Sequence, residues 1–420
     1  MKYFLPLMGY MLITLPGWTQ TCRSFDYRQQ QLSAHPALAN AVAGIEQFTK
    51  RQLAEGQVEV TGQETPLPSL SVITIPVIVH VLYNNNAENI SDAQIQSQID
   101  VLNRDYQKQN PDTTGIPSYF AGLAADCGFR FILAGVDTNG KTITGIIRKH
   151  TNITAFALND DMKYSALGGD DAWDRDKYLN VWVCNLSSAL LGYSSFVGGP
   201  RETDGVVVLY TAFGTIGTAH APFNLGRTGT HEVGHWLNMI HTWGDDSCGT
   251  DQVADTPPQQ QATYGDPSGI VLSCNNAPTG NMYMNYMDFT DDIGMHMFTY
   301  GQRDRMRTLF VPGGFRYPIL TSPAATAAPG APSDTAYGGG GMGNARLYPN
   351  PAANVVTVHL ADISKVGSLL EVYSQTGQRV MATRVTTQNF TLDVSGLSGG
   401  VYFIRIGNSG GQTSLKLVKL

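Results

Sequence analysis

The chain has 420 residues, enough for two or three domains, and its 42% hydrophobic content supports sizeable cores. The formal net charge of −7 argues against nucleic acid or an anionic membrane surface as a partner. Five cysteines leave at least one without a partner inside the chain.

Residues 1–20 read as a secretory signal peptide. Lys2 supplies the positive start, residues 4–15 are apolar, and Gly17-Trp18-Thr19-Gln20 offers a cleavage region. The apolar run is broken by Pro6 and Pro16 and is too short to span a bilayer, so no transmembrane segment is expected in the mature chain. A lipid-anchored start at Cys22 is the lesser reading, because Thr19-Gln20-Thr21 lacks the small apolar residues expected there. Export makes disulfides available. Residues 21–68 are polar, Gln-rich and broken by Pro66 and Pro68, which suits a helical pro-segment plus linker. The dibasic Lys50-Arg51 is a candidate processing point.

The pattern changes at Ser71. Residues 71–83 (SVITIPVIVHVLY) form a buried strand pattern. Ser91 opens a helix with a capping box to Gln94, and Ile95, Ile99, Leu102 and Tyr106 follow at helical spacing. Residues 128–134, 144–148, 179–186 and 205–210 read as further strands. A helix is expected from about Thr228, and a late one, opened by a capping box between Thr299 and Gln302, through residue 310. The order predicts an α+β domain over 69–320: a mixed twisted sheet with one early backing helix and one active-site helix.

The helix from Thr228 carries the chemistry. His231 and His235 are four apart and share one helical face. Glu232 lies beside them, placed to hold a water without binding the metal. His241 comes six residues after His235, so the helix must stop between them. Asn238 can stop it, because Asn tolerates the left-handed conformation that ends helices. An amphipathic core helix is the bland alternative. It would bury two histidines and a glutamate among Val233, Trp236, Leu237, Met239 and Ile240 with nothing to occupy them. Three neutral imidazoles leave one position open on zinc, the mark of a catalytic site. Zinc brings the pKa of its water to about 7, and Glu232 can take that proton and pass it to a leaving amine. The expected reaction is metal-assisted amide hydrolysis.

Cys248 and Cys274 bracket a polar loop after this helix and are the best candidate disulfide. Closing that loop would stabilise by about 3.5 kcal/mol in the chain-entropy model. Cys127 and Cys184 read first as buried thiols, with a second bridge as the alternative. Residues 321–345 are Pro-, Ala-, Gly- and Ser-rich and form a linker. Residues 346–420 hold short alternating strands at 355–360, 369–374, 378–385, 390–394, 401–406 and 414–420, a small all-β sandwich. Seven Lys or Arg against three Asp or Glu give this tail +4, whereas the rest carries −11.

Over roughly residues 70–312 the chain resembles the pappalysin-type metzincin metallopeptidases, in particular their bacterial cytophagalysin branch. The residues that carry the resemblance are Gly226-Arg227-Thr228 leading into His231 to His241, then Thr242-Trp243-Gly244-Asp245. Asp251-Gln252-Val253-Ala254-Asp255-Thr256-Pro257 follows, and then Asn285-Tyr286-Met287-Asp288-Phe289-Thr290-Asp291-Asp292. The resemblance implies a metzincin-like catalytic fold with zinc on His231, His235 and His241. It implies a turn beneath the metal at Met287, packing without ligating. It also implies structural calcium on the loop of Asp251, Val253, Asp255 and Thr256, whose hard oxygen donors suit that ion; a solvated acidic loop is the alternative. Cys22 matches a family cysteine that can fill the open zinc position and keep a zymogen silent. The family tendency to cleave before basic residues makes Asp291 and Asp292 candidate selectors for Arg or Lys.

There are three departures. Asn238 stands where a glycine is usual. Phe289 stands where a tyrosine is usual, so any hydrogen bond from that position to an oxyanion is lost. Gly294 stands where many members carry the later cysteine of a second disulfide.

The tail resembles the type A sorting domain of proteins exported by the type IX secretion system of Bacteroidetes. The residues are Leu347-Tyr348-Pro349-Asn350-Pro351, Val372-Tyr373-Ser374-Gln375-Thr376-Gly377, Leu397-Ser398-Gly399-Gly400-Val401-Tyr402 and Lys416-Leu417-Val418-Lys419-Leu420. It implies that machinery as a partner and a secreted or outer-membrane-associated product. A substrate-binding β-module is the alternative. The leading expectation is a secreted zinc endopeptidase acting on protein or peptide substrates. The second is a catalytically weak surface binding protein with a structural zinc site, which only Phe289 favours.

Overall fold

The computed structural model describes residues 21–55, 72–187, 189–326, 345–348, 352, 354–360, 366–374, 378–387, 389–408 and 411–419. The expected signal peptide, the end of the expected pro-segment and most of the expected linker lie outside these residues. The chain divides into two compact units, Met1–Gly330 and Ala331–Leu420.

The first unit opens with β1 (Thr21–Cys22), α1 (Ser24–Ala34) and α2 (Ala37–Ala54). The central strand β2 (Ile73–Tyr83) is a nearly continuous apolar run. A strand covered on both faces needs no polar alternation, and this is the signature of parallel pairing. β2 is long enough to hold two parallel partners end to end on one side, β3 (Phe129–Leu133) and β4 (Ile146–His150). Between β2 and β3 come α3 (Asp92–Tyr106) and a single turn, α4 (Ser118–Ala121). On its other side β2 pairs with β5 (Leu179–Cys184), and β5 with β7 (Val206–Leu209), both in parallel. β6 (Leu190–Ser194) runs antiparallel to β7 and carries β1 in parallel, completing a seven-stranded mixed sheet.

One face of this sheet, including Val77, Val79, Val81, Val181, Val183, Val206 and Val208, packs against α3 and α5 (Arg227–Trp236). The opposite face packs Trp182, Tyr193, Val207 and Leu209 into a separate core that includes Tyr27 of α1. Full burial of a side chain the size of these is worth about 1.5–3 kcal/mol each, so the two faces fix the register of every strand. β8 (Tyr264–Gly265) and β9 (Phe289–Thr290) form a small parallel pair beyond α5. α6 (Tyr300–Arg307) starts with the expected box: Thr299 accepts from Gln302 N, and the Gln302 side chain bonds the Thr299 backbone. The helical pattern after it tightens into a 3₁₀ turn at Thr308–Phe310, and a short α7 (Pro323–Thr326) follows.

Two local expectations change. Only half of the Ser91 box forms. Ser91 Oγ accepts from Gln94 N, but the Gln94 amide donates to the Tyr210 and Phe213 carbonyls, because α3 packs close enough to that loop to claim it. β6 is not visible in the sequence, because Leu190-Leu191-Gly192-Tyr193-Ser194 has no clean alternation and contains a glycine.

The second unit has two antiparallel sheets. β10 (Ala345–Tyr348), β11 (Val355–Leu360) and β14 (Asn389–Asp393) form one in the order β10-β11-β14. The other joins β13 (Arg379–Arg384), β12 (Leu369–Ser374), β15 (Gly400–Asn408) and β16 (Gly411–Lys419) in the order β13-β12-β15-β16. Val356, Val358, Val372, Leu392, Ile404 and Leu417 meet in its core, the inward half of each alternating strand.

Candidate active site

α5 is held at both ends. At its start Asp292 Oδ2 accepts from Leu225 N at 2.7 Å and Arg227 N at 3.2 Å, placing a carboxylate at the positive end of the helix dipole. At its end Asn238 is left-handed with φ 70°. Asn238 N donates to His235 O and Met239 N to Gly234 O, each at 2.9 Å, which is the paired closure of a Schellman turn. The chain reverses there and delivers His241 to the face that carries His231 and His235.

The three imidazoles converge through Nε2. His235 Nε2 lies 3.1 Å from His231 Nε2 and 3.0 Å from His241 Nε2. Each Nδ1–H is engaged behind: His231 with Tyr286 O at 2.7 Å, His235 with Met239 O at 2.9 Å, and His241 with the Asp245 carboxylate. These outer bonds fix the tautomer and aim every Nε2 lone pair inward. Burial holds His231 and His241 down to about 3 and also lowers His235 well below the usual imidazole value, so all three stay in the neutral form that binds metal. Three inward lone pairs about 3 Å apart with no donor between them fit one zinc ion, whose Zn–N distance is about 2.0–2.1 Å.

Cys22 joins this group. Its Sγ and one nitrogen of each histidine all lie within 4.8 Å of one another. Cys22 Sγ also stands 3.5 Å from Glu232 Oε2, and Ser24 Oγ donates to the same oxygen at 2.9 Å. Glu232 is fully buried, Oε1 has no partner, and burial raises its carboxyl to about 8. Gly192 lets β6 lie over this residue. A Cβ there would come 3.0 Å from Glu232 Oε1 and 2.7 Å from Val207 O.

Met287 lies below the histidines, fully buried, and its turn is pinned by Asn285 Oδ1 accepting from Met287 N at 2.9 Å. Tyr286, whose carbonyl holds His231, is itself anchored through its hydroxyl by Arg227 Nη1 at 2.8 Å. Arg227 also pairs with Asp105, and with Asp112 at 2.7 Å. Phe289 packs its ring edge-on to His241 at 4.8 Å and against His231 at 5.6 Å. Asp291 stays partly exposed, while Asp292 is buried against the start of α5.

The loop expected to hold calcium is only partly convergent. Thr256 Oγ1 lies 2.8 Å from Asp251 Oδ2 and 3.0 Å from Val253 O. These three oxygen donors suit a hard cation, and burial raises Asp251 to about 7. The Asp255 carboxylate is also used elsewhere. It accepts from Thr299 Oγ1 at 2.7 Å and Gly301 N at 2.8 Å, capping α6, because the orphan amides there need an acceptor. Cys248 and Cys274 are bonded. Cys127 and Cys184 are separate buried thiols, so the second-bridge alternative does not form.

Four contributors escaped the sequence reading: Ser24, Gly192, Asp245 and Arg227 in its ion-pair role. Only Asp245, at four residues from His241, offered a local signal, as a carboxylate following a ligand.

The fold and this site define a metzincin zinc metalloendopeptidase. Residues 164–311 match the peptidase M43 family described as pregnancy-associated plasma protein-A, and residues 346–420 match the secretion system C-terminal sorting domain. An extracellular metalloprotease of Pyricularia oryzae is 32% identical over 268 residues, 61% of this chain and 82% of that protein. One of Arthroderma otae is 33% identical over 256 residues, 58% of this chain and 80% of that protein. Mature mirolysin of Tannerella forsythia in complex with a cleaved peptide is 49% identical with TM-score 0.59, over 60% of this chain and 96% of that one. A promirolysin mutant of the same organism is 44% identical with TM-score 0.62, over 71% of this chain and 97% of that one. The chain belongs to the M43 family of secreted metalloproteases. Among the described residues, no helix is long and apolar enough to cross a membrane.

Proposed function

We propose that this chain is the latent precursor of an endopeptidase whose zinc is held by His231, His235 and His241 and whose general base is Glu232. The observation that carries the reading is the convergence of the three Nε2 atoms with Glu232 beside them. When bound, zinc supplies Lewis-acid chemistry to water and to the scissile carbonyl. Glu232 takes a proton from the attacking water and returns it to the leaving amine. Once β1 leaves with the pro-segment, β6 offers that edge to an extended peptide, and Met287 keeps the floor under the ligands rigid. Asp291 would favour Arg or Lys after the scissile bond, whereas Asp292, the second residue expected in that role, is buried on two backbone amides at the start of α5.

Residues 21–68 act as the pro-segment and Cys22 as its zinc-directed plug, with Ser24 occupying the base. Likeness to a promirolysin over a larger share of the chain than to mature mirolysin supports this division. Residues 1–20 serve as signal peptide, 69–320 as the peptidase, 321–345 as linker and 346–420 as the tail presented to a type IX secretion machinery of a Bacteroidetes-type cell. Calcium would be held by Asp251, the Val253 carbonyl and Thr256, with Asp255 bracing the same loop from α6.

The test is Glu232→Ala together with zinc chelation. The variant should keep one zinc per chain and its thermal transition while losing proteolysis by at least about a thousandfold. Undiminished cleavage by Glu232→Ala would remove this residue from its role.

A further inference from the structure

The helix α1 docks on the peptidase through two buried residues, Ser24 and Tyr27. Ser24 reaches the active site. Tyr27 enters a separate pocket, and its side chain is only 1% exposed. Its hydroxyl donates to Asp160 Oδ2 at 2.7 Å and lies 3.5 Å from Thr203 Oγ1. Its ring lies 5.0 Å from Tyr193 and 6.3 Å from Phe196, centroid to centroid. The ammonium of Lys163 stands 5.1 Å over the same ring.

Every group of this pocket other than Tyr27 comes from residues 160–203. They satisfy one another almost completely. Lys163 is fully buried, pairs with Asp160 Oδ1 at 2.8 Å and donates to Thr203 O at 2.9 Å. Tyr193 OH donates to Asp160 Oδ1 at 2.9 Å, and Lys163 also lies 5.4 Å over the Trp182 ring. Among the described residues, the hydrogen bond to Asp160 Oδ2 comes from Tyr27. A buried carboxylate oxygen with aromatic walls around it calls for a hydrogen-bond donor carried on a flat apolar ring. That description is a phenol.

The pocket lies on the sheet face away from α5 and adjoins the β6 edge that carries β1. Tyr193 is a β6 residue, and its neighbours on that strand already hold residues 23 and 24: Arg23 N donates to Gly192 O at 3.2 Å, and Ser194 N donates to the Ser24 side chain, Oγ, at 2.8 Å. Gly192 is the residue packed on Glu232.

We propose that this pocket is a tyrosine-binding subsite of the mature enzyme, occupied by Tyr27 in the precursor and by a tyrosine side chain of the peptide substrate after the pro-segment leaves. The proposal rests on the reading of residues 21–68 as a removable pro-segment of a zinc peptidase. Asp160 selects the hydroxyl, while Tyr193, Phe196 and Lys163 select the ring. A site built to bond a hydroxyl discriminates strongly against the analogue lacking it, because the buried acceptor is then left unpaired.

The test walks Tyr, Phe and Ala through each of several positions on both sides of the scissile bond in one peptide, using the matured enzyme. One position should show Tyr cleaved about tenfold better than Phe, as kcat/KM. Asp160→Asn should erase that ratio. Because Asp160→Asn can fail to fold, a second measurement uses the unmodified pocket. Saturation-transfer NMR should detect N-acetyl-tyrosinamide on matured Glu232→Ala protein, weaker or no binding of N-acetyl-phenylalaninamide, and neither on the intact precursor. Equal binding of the two amides, binding of the tyrosine amide to the precursor, or no position preferring Tyr overturns the subsite. If matured enzyme cleaves none of the peptides with or without zinc, it is the peptidase reading that fails; the amide binding still judges the pocket.

Discussion

Gly234 and Met287 share one space: a Cβ on Gly234 would stand 2.5 Å from the Met287 sulfur. The glycine between the two helical histidines is therefore what lets the turn beneath them approach α5. Gly234→Ala should force one of the two to move, costing about 1–3 kcal/mol of stability and at least about tenfold in kcat. Adding Met287→Ala should restore part of the activity, because the space then fits the new methyl group. A double-mutant cycle on thermal stability and kcat reads the coupling. Strictly additive effects would show that the contact does not govern the site.

In the proposed latent precursor, Cys22 and Ser24 block the two halves of the machinery separately. Cys22→Ala should give uncleaved precursor that already hydrolyses a fluorogenic peptide, at least about tenfold above the parent. Ser24→Ala should have a smaller effect, because it frees only Glu232. Rates taken while electrophoresis shows intact precursor decide the matter. A Cys22→Ala precursor as silent as the parent would rule out the thiol plug.

Phe289 packs against two of the three imidazoles but offers no hydrogen bond. Phe289→Tyr adds one hydroxyl at a half-buried ring. It should raise kcat several-fold with KM little changed, the pattern of a donor used in the transition state. A change confined to KM would place the hydroxyl on the substrate instead.

Asp288 is buried, and burial raises its carboxyl to about 6 although it accepts from Gln259, Thr263 N and Phe289 N. Its ordinary value, 3.8, is lower. The folded chain thus binds this proton more tightly than the unfolded chain. The group's stabilising contribution is full below about 4 and is lost as pH rises through about 6. In a Glu232→Ala background, Asp288→Asn should flatten the fall in stability across that window. Urea unfolding of the peptidase unit at pH 4, 5, 6 and 7 measures it. Parallel pH profiles for the two proteins would reject the linkage.

The sequence by itself determined the histidine cluster with its neighbouring glutamate, the disulfide candidates, the separate β module and most strands. Those features are local. His231, Glu232 and His235 are fixed by helical spacing, Asn238 by its tolerance of positive φ, and the tail strands by alternation. Tertiary structure alone decided what completes the site. Ser24 meets Glu232 across 208 residues, and Tyr286 holds His231 across 55. β6 becomes a strand only because β7 pairs with it, and Asp255 and Asp292 are spent on helix starts that other segments bring to them. Such contacts depend on the register of a seven-stranded sheet, which periodicity along the chain cannot specify. The three histidines and Glu232 fall within eleven consecutive residues, from His231 to His241, whereas the contacts of Cys22, Ser24 and Tyr27 exist only once distant segments are folded together.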